Sequence, residues 1–368
     1  RHLIAGLLIL IITSMPVADR FVTVALLVGA IISLVCVRDM RMLRVGFWLL
    51  PLAGLCVWLM ARTMVAGGAT TEVLRLMLVI VLAVPIWNAV NAVPQKLPAR
   101  AVAACFMAVS VWFCISLLRE NGAGVELNTR VLLFVLIGLA ISGPLLAQKN
   151  DWVALSICAC TGAAAFSSFG DAAKLAWICG IAAFAISKIN EDHLLNAAIA
   201  GAMLSAVAMP IIVLFGFDFI ADRLVLSHEL SVNFSAEARF EIWSTASQLV
   251  VERPWFGYGI EVIPEELRAF GEGGRFWTHP HNSFLNVLLS GGIIAGCLLS
   301  MSFLGLRKIR LHSRHGKAAI TATLIAVLIT FTVGHGLWQS WWQATLTLLP
   351  LFATVRTEGS DSENAPDR

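Results

Sequence analysis

Runs of apolar residues long enough to cross a bilayer recur along most of this chain, and no other feature constrains its fold as tightly. In hydrocarbon every backbone polar group must be satisfied internally, so runs of this kind span as helices. The strict apolar–polar alternation of a membrane β-barrel is not seen. With 58% hydrophobic and 13% charged residues among 368, no soluble fold could keep the apolar surface from water. The expected fold class is an all-α polytopic membrane protein of about twelve transmembrane helices.

The runs place spans at 3–17, 21–37, 45–61, 73–90, 101–118, 131–147, 152–167, 172–187, 194–217, 283–304, 318–337 and 340–355. The first of these is short and reads as a clipped or tilted span. All eight cysteines lie inside apolar runs, which argues against a disulfide framework or a cysteine metal site. Basic residues cluster in alternate connections: Arg38, Arg41 and Arg44; Lys96 and Arg100; Lys149; Lys188; and Arg307, Lys308, Arg310, Arg314 and Lys317. The positive-inside rule puts those connections and both termini in the cytoplasm. The chain then divides into N-terminal spans over 1–217, about nine of them, one large outer loop over 218–282, about three C-terminal spans over 283–356, and a disordered cytoplasmic tail over 357–368.

A long polar loop in an otherwise economical membrane chain calls for a reason. From Ser235, a suitable N-cap, to Val251 it reads as a helix with an apolar stripe of Phe240, Trp243, Ala246, Leu249 and Val250. That stripe suits a helix lying on the membrane surface or on the spans. Pro254 stops the helix, and Gly257 and Gly259 around Tyr258 form a tight turn. Pro264 opens a short helix, and the loop closes on Arg275 and then His279-Pro280-His281-Asn282. Asn282 is a good N-cap for the next span, so His281 stands at a helix N-terminus. Free N–H groups and partial positive charge there favour a phosphate and disfavour imidazolium, which keeps a histidine able to accept a proton. A plain helix cap explains the same two residues equally well. A zinc site drawing on His279, His281 and His228 or His335 is a further alternative.

Arg239 could clamp a phosphate with paired N–H donors, or form a salt bridge with Glu237 or Glu241. Lys174 lies three residues after Asp171, close enough for an ion pair at a helix end; the functional alternative is a cation facing a cavity. His335 lies among Trp338, Trp341 and Trp342, which read as an interfacial aromatic belt.

Arg239-x-x-x-Trp243, Pro254-Trp255-Phe256-Gly257-Tyr258-Gly259, His281-Asn282-x-x-Leu285, and Gly291-Gly292 with Gly296 together form a motif set. In these motifs and in its late outer loop the chain resembles the O-antigen ligase and polymerase superfamily of bacterial envelope polysaccharide enzymes. The resemblance implies a glycosyltransferase of the bacterial inner membrane with its active site in a large periplasmic loop. Its donor would be a glycan on undecaprenyl diphosphate. Its acceptor would be lipid A–core for a ligase, slightly preferred, or another glycan for a polymerase. No nucleotide sugar, cofactor, metal or nucleic acid is implied. His281 corresponds to the family's general base, and Arg239 to the arginine that binds the diphosphate. Arg275, Lys174, His279, Asn282, Tyr258 and His335 are the further candidates for contacting diphosphate or glycan. The chain departs from the family in two places. Ser167-Ser168-Phe169-Gly170-Asp171 lacks the usual arginine, for which Lys174 could substitute, and Ser290 stands where many members have Glu. Two other classes compete with this reading. A transporter or lipid-linked saccharide flippase should show ionisable residues deep in several spans, of which few are seen. A non-catalytic scaffold gives no reason for a cationic loop that ends at a histidine-capped helix.

Overall fold

A computed structural model describes residues 2–16, 21–36, 49–68, 70–92, 97–119, 125–224, 234–260, 262, 280–308, 313–334 and 337–353. The helices are α1 (Leu3–Ser14), α2 (Phe21–Cys36), α3 (Leu49–Val65), α4 (Thr71–Ala92), α5 (Ala99–Arg119), α6 (Val125–Ala147), α7 (Asp151–Ser167), α8 (Asp171–Ser187), α9 (Glu191–Leu224), α10 (Phe234–Glu252), α11 (Ser283–Phe303), α12 (Arg314–Val333) and α13 (Ser340–Ala353), with a 3-10 turn at Leu304–Lys308. No strand occurs among the described residues, and the protein is a polytopic helical membrane protein.

A helix stands at each of the twelve expected span positions, and α10 adds one more. Among the described residues, six are long and apolar enough to cross a membrane: Thr71–Val90, Ala99–Arg119, Glu126–Ala147, Asp192–Phe215, Ser283–Arg307 and Arg314–Val333. Leu3–Ser14, Val22–Leu34, Leu50–Val65 and Asp151–Ser167 are apolar but shorter. Helix α9 continues to Leu224, beyond the expected end at 217.

Helix α6 is the centre of the bundle. Every residue from Val131 to Leu145 is buried, as expected of a helix that is apolar all round. It packs against α7, α8, α12 and α13. Small residues let these helices approach closely: a side chain at Gly143 would meet Ala319 Cβ at 2.5 Å, and one at Gly180 would meet Leu139 Cδ1 at 2.5 Å. Polar side chains inside the bundle turn back on their own helices; Ser142 Oγ donates to Gly138 O at 2.7 Å and Thr323 Oγ1 to Ala319 O at 2.7 Å. Cys56, Cys105, Cys114, Cys158, Cys160, Cys179 and Cys297 are free thiols.

An apolar crevice of about 260 Å³ is lined by residues of α3, α4, α11, α12 and α13. Leu76, Ile80 and Trp87 on α4 and Leu337 and Gln343 are among the residues that line it. Of the three tryptophans expected as an interfacial belt, Trp338 is half-buried and the other two are interior. Trp342 is fully buried and Trp341 nearly so. Both rings stack within the bundle, Trp342 against Phe331 and against Trp341.

Candidate functional site

The start of α11 is built as the residue types dictate. Asn282 takes extended backbone angles (φ −142°, ψ 113°) and its Oδ1 accepts from the Leu285 N–H at 3.0 Å. Its carbonyl accepts from the Asn286 N–H at 2.9 Å. Immediately before the cap, His281 has φ +50°. A non-glycine residue held in this left-handed region costs on the order of 1–2 kcal/mol and persists only where its surroundings fix it. Lys149 is the other described non-glycine residue with positive φ, at a helix end far along the chain.

Contacts on two sides hold His281. Its Nδ1 lies 3.2 Å from Gly334 O. A carbonyl can only accept, so Nδ1 carries the proton, and in the neutral ring Nε2 is left with its lone pair. On the other side, the indole N–H of Trp243 on α10 donates to Pro280 O at 2.8 Å. Helix α10 lies against α9 and α11, with Ile242, Trp243, Ala246, Leu249 and Val250 buried. The apolar stripe therefore faces the spans and not the membrane surface. The helix already includes Phe234, so Ser235 is inside it and is not its cap.

Arg239 is one turn before Trp243 on the same helix and is half-buried. Burial lowers the proton affinity of its guanidinium, and the nearby Asp171 carboxylate partly restores it. Asp171 opens α8 and pairs with Lys174, Nζ to Oδ1 3.3 Å. The expected helix-end pair is thus formed, and it has a second cation within electrostatic reach. Lys174 contacts this exposed carboxylate at a helix N-terminus, and Arg239 lies within electrostatic reach of it. This is the charge arrangement that an anion with several oxygens would engage.

The glycine-rich turn has a structural task. Helix α11 breaks at Gly292 (φ 67°, ψ −164°), and Pro254–Gly259 fills the break. Carbonyls that lose their helical partners find new ones. Tyr258 N–H donates to Leu289 O at 2.6 Å, and Gly259 N–H to Ser290 O at 2.9 Å. Trp58 Nε1–H donates to Gly291 O at 2.8 Å. Beyond the break, Ile293 N–H donates to Pro254 O at 2.7 Å. Arg62, one turn after Trp58 on α3, holds the turn itself through Phe256 O and Gly257 O, the latter at 2.8 Å from Nη2. No side chain fits at the contact: a Cβ at Gly292 would lie 2.3 Å from Trp255 O, and one at Gly257 2.5 Å from Leu289 O. Tyr258 sits at this junction, its ring under the Arg253 guanidinium at 4.5 Å and its hydroxyl 3.3 Å from Glu252 Oε2.

Asn286 and Ser290, one turn apart on the first half of α11, anchor the segment between α12 and α13. Asn286 Oδ1 accepts from Leu337 N–H at 3.1 Å. Ser290 Oγ accepts from Trp338 Nε1 at 3.1 Å and donates to Asn286 O at 2.7 Å. Ser290, the departure from the family pattern, is thus a fully partnered strut. Sequence reasoning passed over Asn286, Trp58 and Arg62. A buried amide in an apolar run was the one available signal for Asn286.

The structure therefore gathers His281, Asn282 and Trp243 around the start of α11, and Arg239, Asp171 and Lys174 around the starts of α10 and α8. It sets Tyr258 against the break in α11. Arg275, His279 and His335 lie outside the described residues, as do His228 and the short helix expected from Pro264.

Comparison with known proteins converges on these elements. Residues 156–300 match the protein family described as O-antigen ligase. The match runs from within α7 to near the end of α11, which carry Lys174, Arg239, Trp243, the Pro254–Gly259 turn and His281. Over 75 residues the chain is 37% identical to an O-antigen ligase of Pseudomonas aeruginosa, covering 20% of this chain and 18% of that protein. Over 123 residues it is 29% identical to a protein of Rickettsia conorii named as a polysaccharide ligase, covering 31% of this chain and 30% of the other. A similarly named protein of Rickettsia felis is 30% identical over 125 residues, covering 31% and 30%. The matched segments span less than a third of the length of these relatives. The resemblance to the O-antigen ligase superfamily holds over the segment that carries the candidate site.

Proposed function

We propose that this chain is a membrane glycosyltransferase that moves a glycan from a polyprenyl diphosphate, undecaprenyl diphosphate in bacteria, to a sugar hydroxyl at the periplasmic face of the inner membrane. The observation that carries the proposal is the pairing, through α10, of a base-competent histidine with a cationic anion site. In this reading His281 Nε2 takes the proton of the acceptor hydroxyl as its oxygen attacks the anomeric carbon of the donor. The carbon–oxygen bond to diphosphate breaks, and the departing charge is met by Arg239 and Lys174. Diphosphate is a good leaving group once neutralised, so a base and two cations suffice. The basic connections orient the chain so that the site faces outward, with about twelve crossings. The apolar crevice suits the polyprenyl chain, since Leu337 in its lining is three residues from Gly334, the partner of His281.

The names of the relatives favour a ligase, with lipid A–core as acceptor, over a polymerase. A deletion strain distinguishes the two. Loss of all long chains on lipid A–core with accumulation of lipid-linked polymer is the result expected. Capping with a single repeat would mark a polymerase, and an unchanged lipopolysaccharide with a missing exopolysaccharide would mark another acceptor. In purified protein, His281→Ala and Arg239→Ala should each lower transfer by about 100-fold or more. Transfer by His281→Ala at the full rate would remove the histidine from the mechanism.

A further inference from the structure

The conformation of His281 is not one its own sequence would choose. Its φ of +50° is left-handed, it is not glycine, and it lies between Pro280 and the cap of α11. Three contacts fix it. Asn282 anchors the following residue to the first turn of α11, through Leu285 N–H at 3.0 Å. The Gly334 carbonyl fixes the ring through Nδ1. The third contact acts on the preceding peptide: the buried Trp243 indole donates to Pro280 O at 2.8 Å. Proline has no N–H, so this carbonyl is the one polar group through which the residue before His281 can be gripped. Trp243 is also one turn from Arg239 on a helix packed on α9 and α11.

We infer that Trp243 is a positioning residue: its hydrogen bond to Pro280 O sets the peptide that holds His281 left-handed, aims Nε2 at the acceptor hydroxyl, and fixes the base to the same helix that carries the diphosphate-binding arginine. The inference rests on the proposed role of His281. Loss of the bond leaves Arg239 on its helix and the donor site intact. It releases only the peptide before His281, so the effect falls on the chemical step and not on donor binding. A misplacement of about 1 Å costs such a step on the order of 100-fold.

The test uses the full-length protein in detergent or liposomes with a synthetic polyprenyl-diphosphate oligosaccharide and its acceptor. Trp243→Phe keeps the packing and removes the N–H. The expected result is a kcat lower by about 10- to 100-fold with the donor KM within about twofold. In a His281→Ala background the same substitution should leave the residual rate unchanged, since its target is gone. Nitrogen-15 spectra of the histidines, with the His281 signal identified by its loss in His281→Ala, should show the Nδ1-protonated form weakened in Trp243→Phe. An unchanged kcat, an equal fractional loss in both backgrounds, or an unaltered His281 spectrum would each overturn the inference. Full activity of His281→Ala would instead sink the base assignment itself, so the two failures are distinguishable.

Discussion

The indole N–H of Trp58 lies 2.8 Å from the carbonyl oxygen of Gly291, joining α3 to the last residue before the break in α11. Gly291 is buried, so without the indole its carbonyl has no water to turn to. Trp58→Phe keeps the stacking against Phe256, whose ring centroid lies 5.7 Å away, but orphans the oxygen. Thermal unfolding in detergent should show a loss of about 1–3 kcal/mol.

Gly292→Ala should be far worse. It places a Cβ 2.3 Å from the Trp255 carbonyl and asks alanine to hold φ 67°. The strain alone is about 1–3 kcal/mol, and the clash with backbone adds to it. Folded protein should fail to accumulate, as judged by fluorescence-detected size exclusion. Gly6→Ala is the control: nothing lies within 4 Å of its added Cβ, and the helix interior gains by roughly 0.5–1 kcal/mol.

Asp171 competes with any anion for Lys174 and Arg239. Asp171→Asn should therefore lower the donor KM a few-fold at low salt, with the gain fading as ionic strength rises. Lysine at 239 should act in the other direction, because a point charge does not reproduce a guanidinium fork; Arg239→Lys should lose at least about tenfold in kcat/KM. Steady-state transfer assays at two salt concentrations read both effects.

Transfer should proceed at the same rate after extensive dialysis against EDTA, since the proposed chemistry needs only a base and cationic side chains. A loss of activity that zinc restores would bring the histidine metal site back into consideration.

Much of the site was legible because its signals are local. Asn before an apolar run reads as a cap, and Asn282 is one. The spacing of Trp243, Ala246, Leu249 and Val250 reads as a buried helical face, and α10 buries it. Asp171 and Lys174 are three apart and do pair. What could not be read is tertiary. The Gly291-Gly292 pair marks where the helix from Ser283 to Phe303 could break, but the partner that makes the break tolerable is the backbone of a distant turn. Trp338, Trp341 and Trp342 have the composition of an interfacial belt, and only the packing of α13 on its neighbours turns Trp341 and Trp342 inward. Arg62 on α3 likewise spends its guanidinium on two carbonyls of that same distant turn.

The burial of α6 from Val131 to Leu145 has a consequence for biogenesis. The helices that cover it include α12 and α13, which are synthesised long after α6 has entered the membrane. During translation α6 is therefore solvated by lipid, and those lipids must leave when the C-terminal helices arrive. The central helix completes its packing last, so a chain truncated before Arg314 would expose to lipid a surface shaped for protein and would present itself to membrane quality-control proteases.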